Sequence, residues 1–309
     1  MLIAIEKYAR RGIFIAKVVD LRERYIFALN VELNLKYMEI IGKIKNNMNL
    51  KVIVFSYNRP AQLDLLLRSM KRFTDFKDIY VTYMHTDEYK KGYERVIKDN
   101  PQVRFEYREQ YLKNYVMKEL NKPYVMFCPD DDVFIGKVSL KDKQFKQFAK
   151  NKDILCLSLR LGRNCNYCFD QDTPVEVPKM IDGMWEWQKY PLDWGYPMSC
   201  SCTIFRTNEI KPILERLEFD IPSHIEAQMH KTPLPQPLML CYPKQKVLEM
   251  PFNSVQNEFL NNRTGDISIE WLNNEFMKGK IIDLDYIVKQ KFNSPQQLAD
   301  IKMTRRCKV

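Results

Sequence analysis

Between residues 50 and 129 the apolar positions alternate between two rhythms. "LKVIVFS" (50–56) is an unbroken apolar run of the kind that forms a strand buried on both faces. Pro60 then stands ahead of "AQLDLLLRSMKRF", whose apolar residues recur at helical spacing, and a helix tolerates proline in its first turn. The same alternation continues, with "IYVTYMH", "VRFEYR" and "PYVMFCP" reading as strands and "EYKKGYERVIKDN" and "EQYLKNYVMKELN" as helices. Strands and helices in strict alternation predict an α/β sheet with right-handed crossovers and helices on both faces.

Beyond residue 150 the pattern loosens. "DILCLSLRLG" and "SCSCTIFR" read as strands, and "RTNEIKPILERL", "PSHIEAQMHK" and "SIEWLNNEFMKG" as helices. Between them, residues 167–198 are rich in Trp, Tyr, Pro and Asp with little periodicity, which predicts a long loop region of the type that builds binding surfaces. Residues 1–47 differ from the rest: nine Lys/Arg against five Asp/Glu, and no proline. They suit a basic amphipathic leader that lies on a membrane or packs on the domain; alternatively Met48 is the true start and the leader has little function. The expected organisation is this leader, a catalytic domain over 48–253 and a C-terminal helical extension over 254–309 packed on it.

Composition narrows the class. A chain of 309 residues can bury a substantial core. The formal net charge of +10 favours an anionic partner such as a nucleotide, a polyanion, a nucleic acid or an acidic lipid surface. There is no apolar run of about 18 residues and no secretory cleavage pattern, so a cytoplasmic protein without a transmembrane segment, with peripheral membrane contact left open, is expected. Eight cysteines then read as reduced, buried thiols. A zinc site from Cys165, Cys168, Cys200 and Cys202 is conceivable, although no histidine lies at ligand spacing.

The chemistry concentrates at strand ends, where open α/β sheets bind ligands. Ser56, Tyr57, Asn58 and Arg59 follow the first strand, Asp87 the second, and Asp130, Asp131 and Asp132 the fourth. Three adjacent carboxylates at the end of an apolar strand must be solvated, paired or holding a cation. If the extended conformation persists through them, Asp130 and Asp132 point to one side and hold a hard Mg2+ or Mn2+, which suits a nucleoside diphosphate.

These features together resemble the GT-A glycosyltransferases, of the family-2-like type: "VIVFSYNRPAQLDLLLRSM", the DxD-like "CPDDDVF", "WGYPMSCSCTIFRTNEI" and "SHIEAQM", in that order over about residues 50–230. The resemblance implies a Rossmann-like mixed sheet flanked by helices, with an acceptor-side subregion and C-terminal helices. It implies a metal-dependent transfer of sugar from a nucleotide-diphosphate donor to an acceptor hydroxyl, glycan, lipid-linked or other, with inversion. Ser56, Tyr57, Asn58, Arg59, Asp87 and Asp131 would bind the nucleotide sugar, and Asp130 and Asp132 the metal. Glu226 stands where inverting members carry their general base, although Ile225 precedes it where the family often has a second acid. Asp193 is the reserve base, and Trp194 and Tyr196 would stack on the acceptor. His224 and His230, six residues apart, do not share a helical face as two ligands would.

Two other readings stay open. A nucleotidyltransferase uses the same fold and carboxylate-bound metal, but the chain has only nine glycines and no Gly-rich phosphate loop after its first strand. A nucleic-acid-binding protein, including a glycosyltransferase acting on DNA bases, would use the positive charge, yet Lys and Arg are spread along the chain rather than gathered in one stretch.

Overall fold

The run Leu50–Tyr57 forms strand β1, buried at every position except Tyr57. Its one charge, Lys51, is neutralised within the fold by Asp78 and by Glu119 at 3.2 Å. This computed structural model describes residues 49–232, 234–255 and 263–306; the basic leader lies outside them. After β1 come α1 (Pro60–Phe73), β2 (Asp78–Met84), α2 (Lys90–Asp99), β3 (Arg104–Tyr107), α3 (Leu112–Glu119) and β4 (Tyr124–Pro129), the alternation that the sequence predicts. Then follow β5 (Asp132–Phe134), α4 (Lys143–Lys150), β6 (Ile154–Ser158), two-residue strands β7 (Tyr167–Cys168) and β8 (Thr173–Pro174), and β9 (Met184–Glu186). The chain continues through β10 (Thr203–Arg206), α5 (Thr207–Arg216), α6 (Pro222–His230), β11 (Leu238–Cys241) and β12 (Val247–Glu249). It ends with α7 (Ile269–Met277), β13 (Lys280–Ile282), α8 (Leu284–Val288) and β14 (Met303–Arg305).

Eight strands make one sheet in the order β3-β2-β1-β4-β10-β6-β11-β9. β1 is parallel to both β2 and β4, and β2 to β3, while β10 runs antiparallel to β4 and β6. The sheet is therefore mixed, and the α/β fold class expected from the sequence is observed. The carboxyl ends of β1, β2, β4 and β6 share one edge, and the reversed β10 brings its amino-terminal end to that same edge. The chain moves from the β2 side of β1 to the β4 side, so the topological switch point, where open α/β sheets form their ligand crevice, falls between β1 and β4. Across the way, β12 pairs antiparallel with β5 and sets Glu249 opposite Asp132.

The structure corrects three local expectations. The extended conformation does not persist through the aspartates, because Asp130 and Asp131 form a turn between β4 and β5. "SCSCTIFR" is a strand only from Thr203; Ser199–Cys202 is a bend, with Cys202 at φ +43°. The aromatic segment is in part core, since Trp185 and Trp194 are buried and meet edge to face at 5.0 Å.

From Leu50 onward the described residues fold as one compact unit. The C-terminal elements clamp α1 and α2: Arg95 lies over the Phe276 ring at 4.2 Å, and Arg68 donates to the Ile282 carbonyl at 2.9 Å. After β6 the backbone of Lys244 and Gln245 passes so close to Gly162 that a Cβ there would sit 2.2 Å from the Gln245 nitrogen. Gly162→Ala must push backbone aside, a strain of about 1–3 kcal/mol. Thermal melts should show the variant several degrees below the parent, whereas an unchanged melting temperature would mean that this crossing is loose.

Candidate active site

On the β1 side of the crevice Asp130 is buried and fully engaged. Its Oδ2 accepts the Ser56 hydroxyl at 2.7 Å and the Tyr57 N–H at 3.3 Å, while its Oδ1 faces Arg59 Nε at 3.3 Å. Arg59 also donates to Asp131 Oδ2 at 2.7 Å, so one guanidinium spans both aspartates. Burial works against the charge of Arg59, but Asp130 and Asp131 outweigh it and hold the guanidinium firmly protonated. Burial pushes Asp130 up to about 6, with Arg59 pulling the other way and Asp131 adding to the rise.

Asp132 belongs to the other side. It is fully buried, and accepts the Ser201 hydroxyl at 2.5 Å and the Cys202 thiol at 3.2 Å, both from the bend before β10. Burial raises its pKa well above the ordinary carboxylate range, with Glu249 and Asp131 as the next causes. Glu249, its cross-strand partner, is pushed up to about 8 by burial and by Asp131, with Arg160 in partial opposition. The expectation that Asp130 and Asp132 aim together at one cation therefore fails in its stated form. The turn at Asp130–Asp131 sends the two side chains to different partners.

Beyond the β10 bend, Glu226 projects from α6 and accepts the Cys200 N–H at 3.3 Å. Burial raises its pKa, and Arg160 and the Cys200 N–H pull it back. Asp193 is tied at 2.7 Å to Arg160, which is itself buried, so the reserve base is already committed to an ion pair. Tyr196 is partly buried, with its ring 4.6 Å from that of the exposed His230. Trp194 corrects the acceptor-stacking expectation: it is buried in the core and donates through Nε1 to the Cys165 carbonyl at 3.1 Å, leaving no ring face open. His224 accepts the Asp220 N–H at 3.4 Å and lies at the start of α6.

Asn58 and Asp87 sit together in sequence logic and in space. Asn58 adopts φ +55° and its Oδ1 accepts the Thr86 N–H at 2.8 Å, which ties the end of β1 to the turn carrying the exposed Asp87. Tyr57 presents a ring that is 37% exposed at the same rim. The four cysteines suggested for zinc do not converge: Cys165 donates to Arg160 and Gln245, Cys200 to Pro222, and Cys202 contacts Cys128 at 2.9 Å. Among the described residues, the sulfur and carboxylate atoms within 4.8 Å of one another are those of Cys128, Asp132 and Cys202. The described cysteines are free and buried.

Arg160, Glu249, Ser201 and Tyr93 carry the site without having been singled out in the sequence. Arg160 and Glu249 did leave a trace, as single charges inside the apolar runs "LCLSLRLG" and "VLEMPF". The hard oxygen donors nearest in charge terms are Asp131, Asp132 and Glu249, whose carboxylates act on one another without forming a set within 4.8 Å. The thiols of Cys128 and Cys202 are soft donors and do not suit Mg2+.

No family model matches the chain. Over 201 residues it is 27% identical to the bifunctional glycosyltransferase pgtA of Dictyostelium discoideum, covering 56% of this chain and 26% of that protein. The chain thus spans about a quarter of that relative's length. Among solved structures, S. aureus TarS 1-349 in complex with UDP aligns with a TM-score of 0.43 at 18% identity, covering 64% of this chain and 59% of that one. A cytidylyltransferase from Leptospira borgpetersenii aligns with a TM-score of 0.38 at 12% identity, covering 64% and 77%. In sequence the chain is similar to a glycosyltransferase, as its motifs implied.

The raised pKa of Glu249 sets a pH dependence on stability. In the unfolded chain a glutamate titrates near ~4.3, whereas in the fold Glu249 titrates at about 8. The native state therefore holds the proton more tightly, so this group favours folding fully below the lower value and ceases to as pH rises through the upper one. In metal-free buffer, Glu249→Gln should melt above the parent at pH 8.5, by roughly 1–2 kcal/mol, with the gap closing by pH 4. A gap of equal size at both pH values would overturn this assignment.

Proposed function

We propose that this chain is a metal-dependent glycosyltransferase, using a nucleoside-diphosphate sugar and an acceptor hydroxyl, with inversion at the transferred carbon. The observation that carries the reading is electrostatic. Asp130, Asp131, Asp132, Asp193, Glu226 and Glu249 act on one another at one sheet edge, against two guanidinium groups, Arg59 and Arg160. Fully ionised, the edge would carry four excess negative charges and would repel a diphosphate unless a cation came with it. The sequence similarity to pgtA favours a glycosyltransferase over a nucleotidyltransferase or a nucleic-acid-binding protein.

In this reading the nucleotide lies across the ends of β1 and β2, along the Tyr57–Arg59 turn and Asp87. Mn2+ or Mg2+, held by Asp132 with Asp131 and Glu249 beside it, would offset the charge that gathers on the leaving diphosphate. Glu226 takes the proton from the acceptor hydroxyl as that oxygen attacks the sugar carbon from the face opposite the leaving group. Its raised pKa brings it closer to neutrality, where a base is most effective. The Cys200 N–H fixes the direction of its carboxylate, and Arg160 opposes the upward push of burial on it.

Two measurements test this. Thermal-shift assays with UDP, GDP, CMP and dTDP, and with their sugars, should give one nucleotide that stabilises the protein only with Mn2+. The gain should be about 2.7 kcal/mol at a hundredfold excess over Kd, and should be lost in Asp132→Ala. No stabilisation by any of them in a well-folded sample would remove the donor reading. With the donor identified, Glu226→Gln should bind it as the parent does while transfer falls by about 100-fold or more; a variant with normal kcat would exclude Glu226 as the base.

A further inference from the structure

The Tyr93 hydroxyl lies in the middle of a buried chain of hydrogen bonds whose directions are all determined. The Ser56 hydroxyl donates to Asp130 Oδ2 at 2.7 Å and has no second proton to give. Ser56 is then an acceptor toward Tyr93, 2.7 Å away, and the Tyr93 hydroxyl must donate. Its oxygen in turn accepts the Arg59 N–H at 3.2 Å. The order is Arg59 N–H to Tyr93, Tyr93 to Ser56, Ser56 to Asp130. The Arg59 side chain closes the circuit by facing Asp130 and Asp131 at 3.3 and 2.7 Å.

Tyr93 is 1% exposed and its ring stacks on Tyr83 at 4.9 Å, so it does not face the crevice. We propose that Tyr93 is a positioning residue for donor binding: through Ser56 it fixes Asp130 against Arg59, and so preforms the Tyr57–Arg59 turn for the nucleotide. This rests on the donor reading above. Hydrogen bonds in such a chain polarise one another, and removing one link leaves the next without its direction. Tyr93→Phe keeps the ring stack and removes only the hydroxyl, while Ser56→Ala breaks the same chain one step further on.

Both variants and their combination would be titrated calorimetrically, with Mn2+ present, against whichever of UDP, GDP, CMP and dTDP binds the parent. Each single variant should bind about tenfold more weakly, as expected for breaking a buried hydrogen-bond chain that ends on a charged group. The combined variant should be no weaker than the weaker single one, because both interrupt one chain; independent packing defects would instead multiply to about a hundredfold. Parent-like binding by Tyr93→Phe, or multiplied losses in the combined variant, would overturn the positioning role while leaving the donor reading intact. Failure of the parent to bind any of the four would overturn the donor reading itself, and with it the positioning role.

Discussion

The constraint on which this structure turns is the cost of gathering six carboxylates at one partly buried edge. Two guanidinium groups answer part of it, each in a different way. Arg59 spans two adjacent aspartates from the end of β1, whereas Arg160 pairs directly with Asp193 and acts at longer range on Glu226 and Glu249. What they leave is concentrated on Asp132 and Glu249, which two short strands hold face to face. A fold that merely needed stability would not keep these two acids together, because an apolar pair of similar volume would avoid the repulsion. The cation proposed above would relieve that repulsion as the third member.

The reversed strand β10 is what makes the arrangement possible. In an all-parallel sheet its amino end would lie at the far side. Running antiparallel, it delivers the Ser199–Cys202 bend to the carboxyl edge, and that bend reaches both halves of the site. Its Cys200 N–H meets Glu226, and Ser201 and Cys202 meet Asp132. The proposed base and the proposed metal ligand are thereby referenced to a single short segment, with Cys202 forced to φ +43° to aim it. Strain of this kind persists only where neighbouring contacts over-determine it.

Much of the first half of the fold was legible because β1, α1 and their successors state their periodicity in uninterrupted runs. The strand ends could then be read as a site without knowing the structure, and Arg59 with the aspartates was found there. Glu249 and Arg160 were not, because Glu249 meets Asp132 only through the pairing of β12 with β5, and Arg160 meets Asp193 across a loop of irregular chain, contacts that no local pattern encodes. The geometry of the aspartates hinges on a local feature: an extended chain would align Asp130 with Asp132, but residues 130 and 131 turn. The placement of Trp194 hinges on a compositional one, since an aromatic loop residue and a core residue look alike until the covering chain is in place.

The charge of the whole chain and the charge of its crevice have opposite signs, and the difference bears on the partner. Lys and Arg exceed Asp and Glu by ten over the molecule, yet the two buried guanidinium groups of the crevice are outnumbered by carboxylates. Positive charge is thus carried mainly on outer faces, where it raises the local concentration of anions without entering the site. A polyanion gripped along its backbone needs basic groups lining the groove itself, and this crevice offers the reverse. A compact anion arriving with its own divalent cation, as proposed above, would meet no such obstacle: attraction acts at long range, and the cation would offset the acidic edge.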